Sequence, residues 1–119
     1  MKKNIVIIIR SAPYGSSSAR DAVDFILTAA AYEQDISVVF QGDGVFQLLK
    51  DQNPSLIHQK RISALISAFE MYEVDQVFYD LSSLSERNIN KDDLINNLVE
   101  MELHSIQELL NKADTVLTF

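Results

Sequence analysis

The chain holds no cysteine and no tryptophan in 119 residues, only two histidines, and three glycines against two prolines. Each shortage removes a class of explanation. Without cysteine there is no disulfide framework, no thiolate metal site and no sulfur nucleophile. His58 and His104 stand at expected helix starts, without the paired spacing or carboxylate company of a metal centre, and read as surface residues. The loop Ser11-Ala12-Pro13-Tyr14-Gly15-Ser16-Ser17-Ser18 has one glycine and no lysine. A Walker loop needs Gly-Lys-Ser/Thr, and a dinucleotide fingerprint needs three glycines. Its structural reading is a Pro-Tyr-Gly turn with Ser17 or Ser18 capping the first helix near Asp21; its functional reading is an anion site at that helix start. The serines of Asp80-Leu81-Ser82-Ser83-Leu84-Ser85-Glu86-Arg87 lack a Gly-x-Ser-x-Gly elbow and a nearby histidine, which argues against a serine triad.

Positive charge is also scarce, at ten Lys and Arg against seventeen Asp and Glu, a net −7. The imbalance is local. Residues 1–72 balance, whereas residues 73–119 set ten acidic groups against Arg87, Lys91 and Lys112. Phosphate contacts from Lys and Arg supply most nonspecific nucleic-acid affinity, so with no basic stripe direct nucleic-acid binding is not expected. Long apolar runs are missing too: Ile5 to Ile9 ends at Arg10, which fits a first strand and neither a secretory nor a membrane-spanning segment. A cytoplasmic protein with no membrane partner is expected.

What is present is 47% hydrophobic residues in an α/β alternation without linkers or low-complexity segments, long enough for one core over residues 1–119. Asn4 to Arg10, Ile36 to Phe40 and Val74 to Tyr79 read as strands buried on both faces. Val99 to Leu103 alternates with Glu100 and Glu102, which predicts an edge strand guarded by charge, and Thr115 to Phe119 closes the series. Val23, Ile26, Leu27 and Ala30 form one helical stripe, and Ile62, Leu65, Ile66 and Phe69 repeat it. Asn53-Pro54 reads as a helix cap before a first-turn proline, Ser105 to Glu108 as a capping box, and Asp92 to Asn97 as a short helix. Strand, helix, strand in repetition implies about five mostly parallel strands with helices on both faces, joined by right-handed crossovers. Strand order is not legible in such a pattern.

Sites in open α/β sheets lie at the carboxyl ends of the strands. At the second of these ends Gly42-Asp43-Gly44 interrupts the apolar run before Val45-Phe46-Gln47-Leu48-Leu49. Asp43 there reads as the cap of a helix from Gly44 to Lys50, with the glycines supplying backbone freedom. The alternative is a surface presenting Asp43, Phe46 and Gln47 to a partner or substrate. If the helix lies flat on the sheet, Phe46 belongs to the core. The candidate interface or site lining is Tyr14, Gly42, Asp43, Gly44, Phe46, Gln47, Asp80, Ser82 and Ser83; no catalytic, cofactor-binding or metal-binding residue is assigned.

The order of an Ile-rich strand, Ser11-Ala12-Pro13-Tyr14-Gly15, Phe40-Gln41-Gly42-Asp43-Gly44-Val45-Phe46-Gln47-Leu48-Leu49 and Ser83-Leu84-Ser85-Glu86-Arg87 closely resembles the TusC or DsrF-like subunits of TusBCD sulfur-relay complexes, within the DsrE-like superfamily. The resemblance spans nearly the whole chain. It implies a three-layer DsrE-like fold of one domain, assembled with homologous TusB-like and TusD-like subunits as a dimer of heterotrimers. Such complexes relay persulfide sulfur toward 2-thiouridine at the tRNA wobble position. In that family the sulfur-carrying cysteine belongs to the D subunit, in the loop that corresponds here to about Tyr79–Ser83, and no thiol occurs there. A persulfide relay needs a thiolate that attacks sulfane sulfur and holds it as S–S, which a hydroxyl or carboxylate cannot do reversibly. The resemblance together with that absence implies a noncatalytic subunit that builds the assembly and docks sulfur donors and acceptors. The rival reading is an independent small-molecule-binding domain or enzyme using the loops at the sheet's C-terminal edge.

Overall fold

β-Branched residues pack best on a pleated surface buried from both sides, and Asn4–Ile9 forms the inner strand β1 on that basis. The computed structural model describes residues 3–12, 18–32, 34–49, 66, 68–74 and 76–119. After β1 come α1 (Ser18–Ala31), β2 (Asp35–Phe40), a 3-10 helix (Gly42–Leu48), a second one (Ala68–Tyr72), β3 (Gln76–Asp80) and α2 (Leu81–Glu86). A 3-10 turn (Lys91–Asp93), β4 (Val99–Met101), α3 (Leu103–Lys112) and β5 (Thr115–Thr118) follow.

The sheet order is β4-β3-β2-β1-β5, and each pairing between its strands is parallel. The α/β fold with five strands and helices on both faces therefore stands, with β4 and β5 at the edges. Register fixes the faces: Ile7 pairs with Val38 and Leu117, whereas Val6 pairs with Ser37 and Val116. On one face Ile7, Ile9, Val38, Phe40, Val77 and Tyr79 pack with Ala22, Val23 and Ile26 of α1, Val45 and Leu48, and Leu84 of α2. On the other, Val6, Ile8 and Val39 meet Ile106 of α3, with Leu109 and Leu110 alongside.

Several local expectations need correction. α3 starts at Leu103 with Glu102 in the cap position, so Ser105 lies inside the helix and there is no capping box. Of the expected helix at Asp92 to Asn97 only Asp92 and Asp93 are helical, in a 3-10 turn Lys91–Asp93 begun by Asn90 Oδ1 accepting from Asp92 N–H at 3.0 Å. Glu100 does not merely guard an edge. It forms an ion pair with Lys91 and lies close enough to Tyr79 to raise its hydroxyl pKa, while Glu102 falls beyond β4. His104 is exposed, 3.4 Å from Glu108. Within the α1 stripe Val23 and Ile26 are fully buried and Leu27 and Ala30 partly so; in the second stripe Ile66 and Phe69 are buried, and Ile62 and Leu65 lie outside the described residues. Asn53, Pro54, His58 and Ser17 also lie outside them. Among the described residues no helix is long and apolar enough to cross a membrane.

Candidate functional site

Two junctions meet at the C-terminal edge of the sheet, one after β2 and one after β3. At the first, the chain turns at Gly42 with φ of +55°, a left-handed conformation that glycine adopts without a Cβ penalty. Two residues on, a Cβ at Gly44 would stand 2.0 Å from the carbonyl oxygen of Ile9. Gly44 is thus set by a close backbone approach to the end of β1, and it brings Val45 and Leu48 into the core.

The cap expected of Asp43 is not made. The 3-10 helix starts after Gln41 with no side-chain cap, and Asp43 turns instead to Arg87 at the end of α2. A 3-10 helix winds more tightly than an α-helix, with about 3.0 residues per turn, and so moves the faces. The side chain that turns inward is consequently Gln47, 1% exposed, whereas Phe46 is half-buried. Presentation of Gln47 to a partner is excluded by that burial. Its Nε2 donates to the Ser11 carbonyl at 2.8 Å, tying the start of the loop after β1 to the β2 junction.

Asp80 and Ser83 hold the second junction. The Ser83 hydroxyl donates to Asp80 Oδ2 at 2.8 Å and accepts from the Gly42 N–H at 2.9 Å, so one buried side chain links the two strand ends. The α2 helix then closes in a Schellman arrangement: Asn88, with φ of +54°, donates to the Ser85 carbonyl, and Ile89 donates to Leu84. That geometry aims Arg87 back over the site. Its Nη1 donates to the Ser83 carbonyl at 3.2 Å, and Nε and Nη2 each lie 3.1 Å from Asp43 Oδ1.

Of the expected lining, Gly42, Asp43, Gly44, Gln47, Asp80 and Ser83 converge. Ser82 is exposed and outside this network, and Tyr14 lies outside the described residues. Sequence reasoning missed Arg10 and gave Arg87 no role. Arg10 Nη1 donates to Gln41 Oε1 at 3.0 Å, and a Cβ on Gly42 would meet Arg10 Nη2 at 3.3 Å. The available signal was position, since a cation that closes an apolar strand must stand at the carboxyl edge. Buried Asp80 Oδ1 and Gln47 Oε1 accept no hydrogen bond from the described residues, and no group of three His, Asp or Glu side chains among them could hold a metal. The arrangement can position backbone and charge. Ser83 Oγ, the hydroxyl that donates to a carboxylate there, is buried and committed to Asp80 and Gly42.

A family model described as the DsrE/DsrF-like family matches residues 3–119. The chain is 39% identical over 115 residues to a protein named TusC homolog from Vibrio parahaemolyticus, covering 97% of this chain and 98% of that one. It is 37% identical to a TusC homolog from Pasteurella multocida, at 97% and 98% coverage. To the intracellular sulfur oxidation protein DsrF of Allochromatium vinosum it is 33% identical, at 98% and 96% coverage. The crystal structure of the ychN protein from E. coli superposes with a TM-score of 0.81 and 26% identity over the whole of both chains.

Proposed function

The chain belongs to the DsrE/DsrF-like family, and on that premise we propose that it is a noncatalytic subunit of a TusBCD-type sulfur-relay complex in the cytoplasm, serving 2-thiolation of the tRNA wobble uridine. One paired observation carries this reading: full-length similarity to TusC and DsrF proteins in a chain without a single cysteine. Sulfane sulfur must be attacked and held by a thiolate, so the sulfur-bearing cysteine belongs to another subunit. At the junction after β3 the side chains Asp80 and Ser83 are committed to a structural link with Gly42, a role that suits a scaffold. Val99, Leu103 and Val116 are large apolar side chains left exposed, as expected of a surface that packs on homologous TusB-like and TusD-like subunits. The partners deliver and accept sulfur through that assembly, and this chain makes no direct contact with tRNA.

The test is co-expression with TusB-like and TusD-like proteins encoded in the same genome, followed by native mass measurement. A single particle with the mass of a dimer of heterotrimers is expected. Recovery of this chain apart from both partners under gentle conditions would overturn the proposal. Deletion of the gene should also abolish wobble 2-thiouridine, and the intact chain should restore it.

A further inference from the structure

The geometry points to a binding site for a tetrahedral oxoanion between Arg10 and Arg87, over the bare Cα of Gly42. Arg10 directly follows β1 and Arg87 directly follows α2, so the two guanidinium groups arrive from separate elements. Both nevertheless reach within 4 Å of one point, the place that a Cβ on Gly42 would occupy. Like charges brought so close repel unless a counter-charge lies between them. The counter-charges present serve Arg87 alone: Asp43 and Glu86 pair with it, and Asp43 is largely exposed. Arg10 has one amide acceptor, Gln41 Oε1, and no carboxylate within ion-pair distance among the described residues. An anion bridging the two would complete the set.

Planar guanidinium forks favour oxoanions that take two hydrogen bonds at once. A planar carboxylate offers both oxygens in one plane, which suits a single fork. Two forks from different elements are better met by a phosphate- or sulfate-type group, whose oxygens diverge. The overall charge of −7 gives no diffuse attraction for anions, so any affinity must be local to this pair. The inference is independent of the sulfur-relay reading.

Titration of the full chain with inorganic phosphate and with sulfate, at ionic strength held constant with chloride, should give saturable binding. It should shift the Gly42 amide and Arg10 side-chain NMR signals. Arg10 is exposed, so R10Q will fold; it should weaken binding about tenfold, the scale of one charge-assisted hydrogen bond. D43N frees Arg87 and should tighten binding. Acetate at the same ionic strength should bind more weakly than phosphate. Phosphate no better than chloride, R10Q titrating like the unaltered chain, D43N binding more weakly, or acetate equalling phosphate would each overturn the assignment.

Discussion

The two faces of the sheet are built from the same kind of strand and finished differently. On the face of Ile7, Ile9, Val38 and Phe40, four kinds of cover arrive from nearby in the chain: α1, the Gly42–Leu48 helix, α2 and the Ile66 and Phe69 segment. On the face of Val6, Ile8 and Val39, α3 alone among the described elements supplies a buried residue, Ile106. Phe78 and Met101 on that side are only partly buried. In-register neighbours point to the same side of a parallel sheet, so Val99 beside Phe78 and Val116 beside Val6 share this face, and both are exposed. Parallel strands are ordinarily covered on both sides. Among the described residues, therefore, one face is closed and the other thinly covered: the first holds the fold together and supports the junctions, and the second leaves Val99 and Val116 exposed.

The contrast can be broken from its strong side first. Phe40 is fully buried on the sealed face, and Phe40→Ala should cost about 3–5 kcal/mol in denaturant unfolding, enough to threaten folding itself. Ile106→Ala should cost less, about 2 kcal/mol, because the half-exposed Leu109 and Leu110 can settle into the space. Equal losses at the two positions would contradict the division drawn here. Ser83→Ala probes the link over the sealed face. It removes both junction hydrogen bonds and leaves buried Asp80 unpaired, at about 1–3 kcal/mol, measured as a shift of the urea midpoint at constant slope.

The smallest effect is alkaline. The Tyr79 hydroxyl is raised above its ordinary 10.0, first by burial and then by the neighbouring Glu100 carboxylate, with Lys91 opposing. Glu100 also raises Lys91. A group with a raised folded-state pKa binds its proton more tightly in the folded chain. Its contribution is complete below the unfolded value, about 10 for Tyr, and is lost as pH climbs through the folded value. Stability should hold from neutral pH to about 10 and decline above it, and Tyr79→Phe should flatten that decline. A decline that persists in full in Tyr79→Phe would assign it to other groups.

How much could be read beforehand follows the range of the forces involved. Strands β1, β2 and β3 and the α1 stripe are visible in sequence because burial repeats with local period, as at Val23 and Ile26. The capping box at Ser105 failed because α3 begins after Glu102, whose carbonyl already accepts from the Ser105 and Ile106 N–H groups, and this start places Ile106 in the core. Asp43 failed as a cap for a different reason. Its partner, Arg87, comes from the next strand-helix junction and cannot be found by spacing. Gln47 and Phe46 exchanged roles because the junction helix is 3-10, and its tighter turn depends on the Gly44 backbone meeting Ile9.

By itself the sequence determined the α/β alternation, the apolar strands and the absence of any thiol able to carry sulfur, because composition and short-range periodicity set burial and available chemistry. Only the tertiary structure decided that β1 lies between β2 and β5, that one face is sealed and the other thin, and that Arg10, Gly42, Ser83 and Arg87 meet. Those outcomes depend on strand register and crossover, which bring together residues remote in the chain and leave no periodic trace within it.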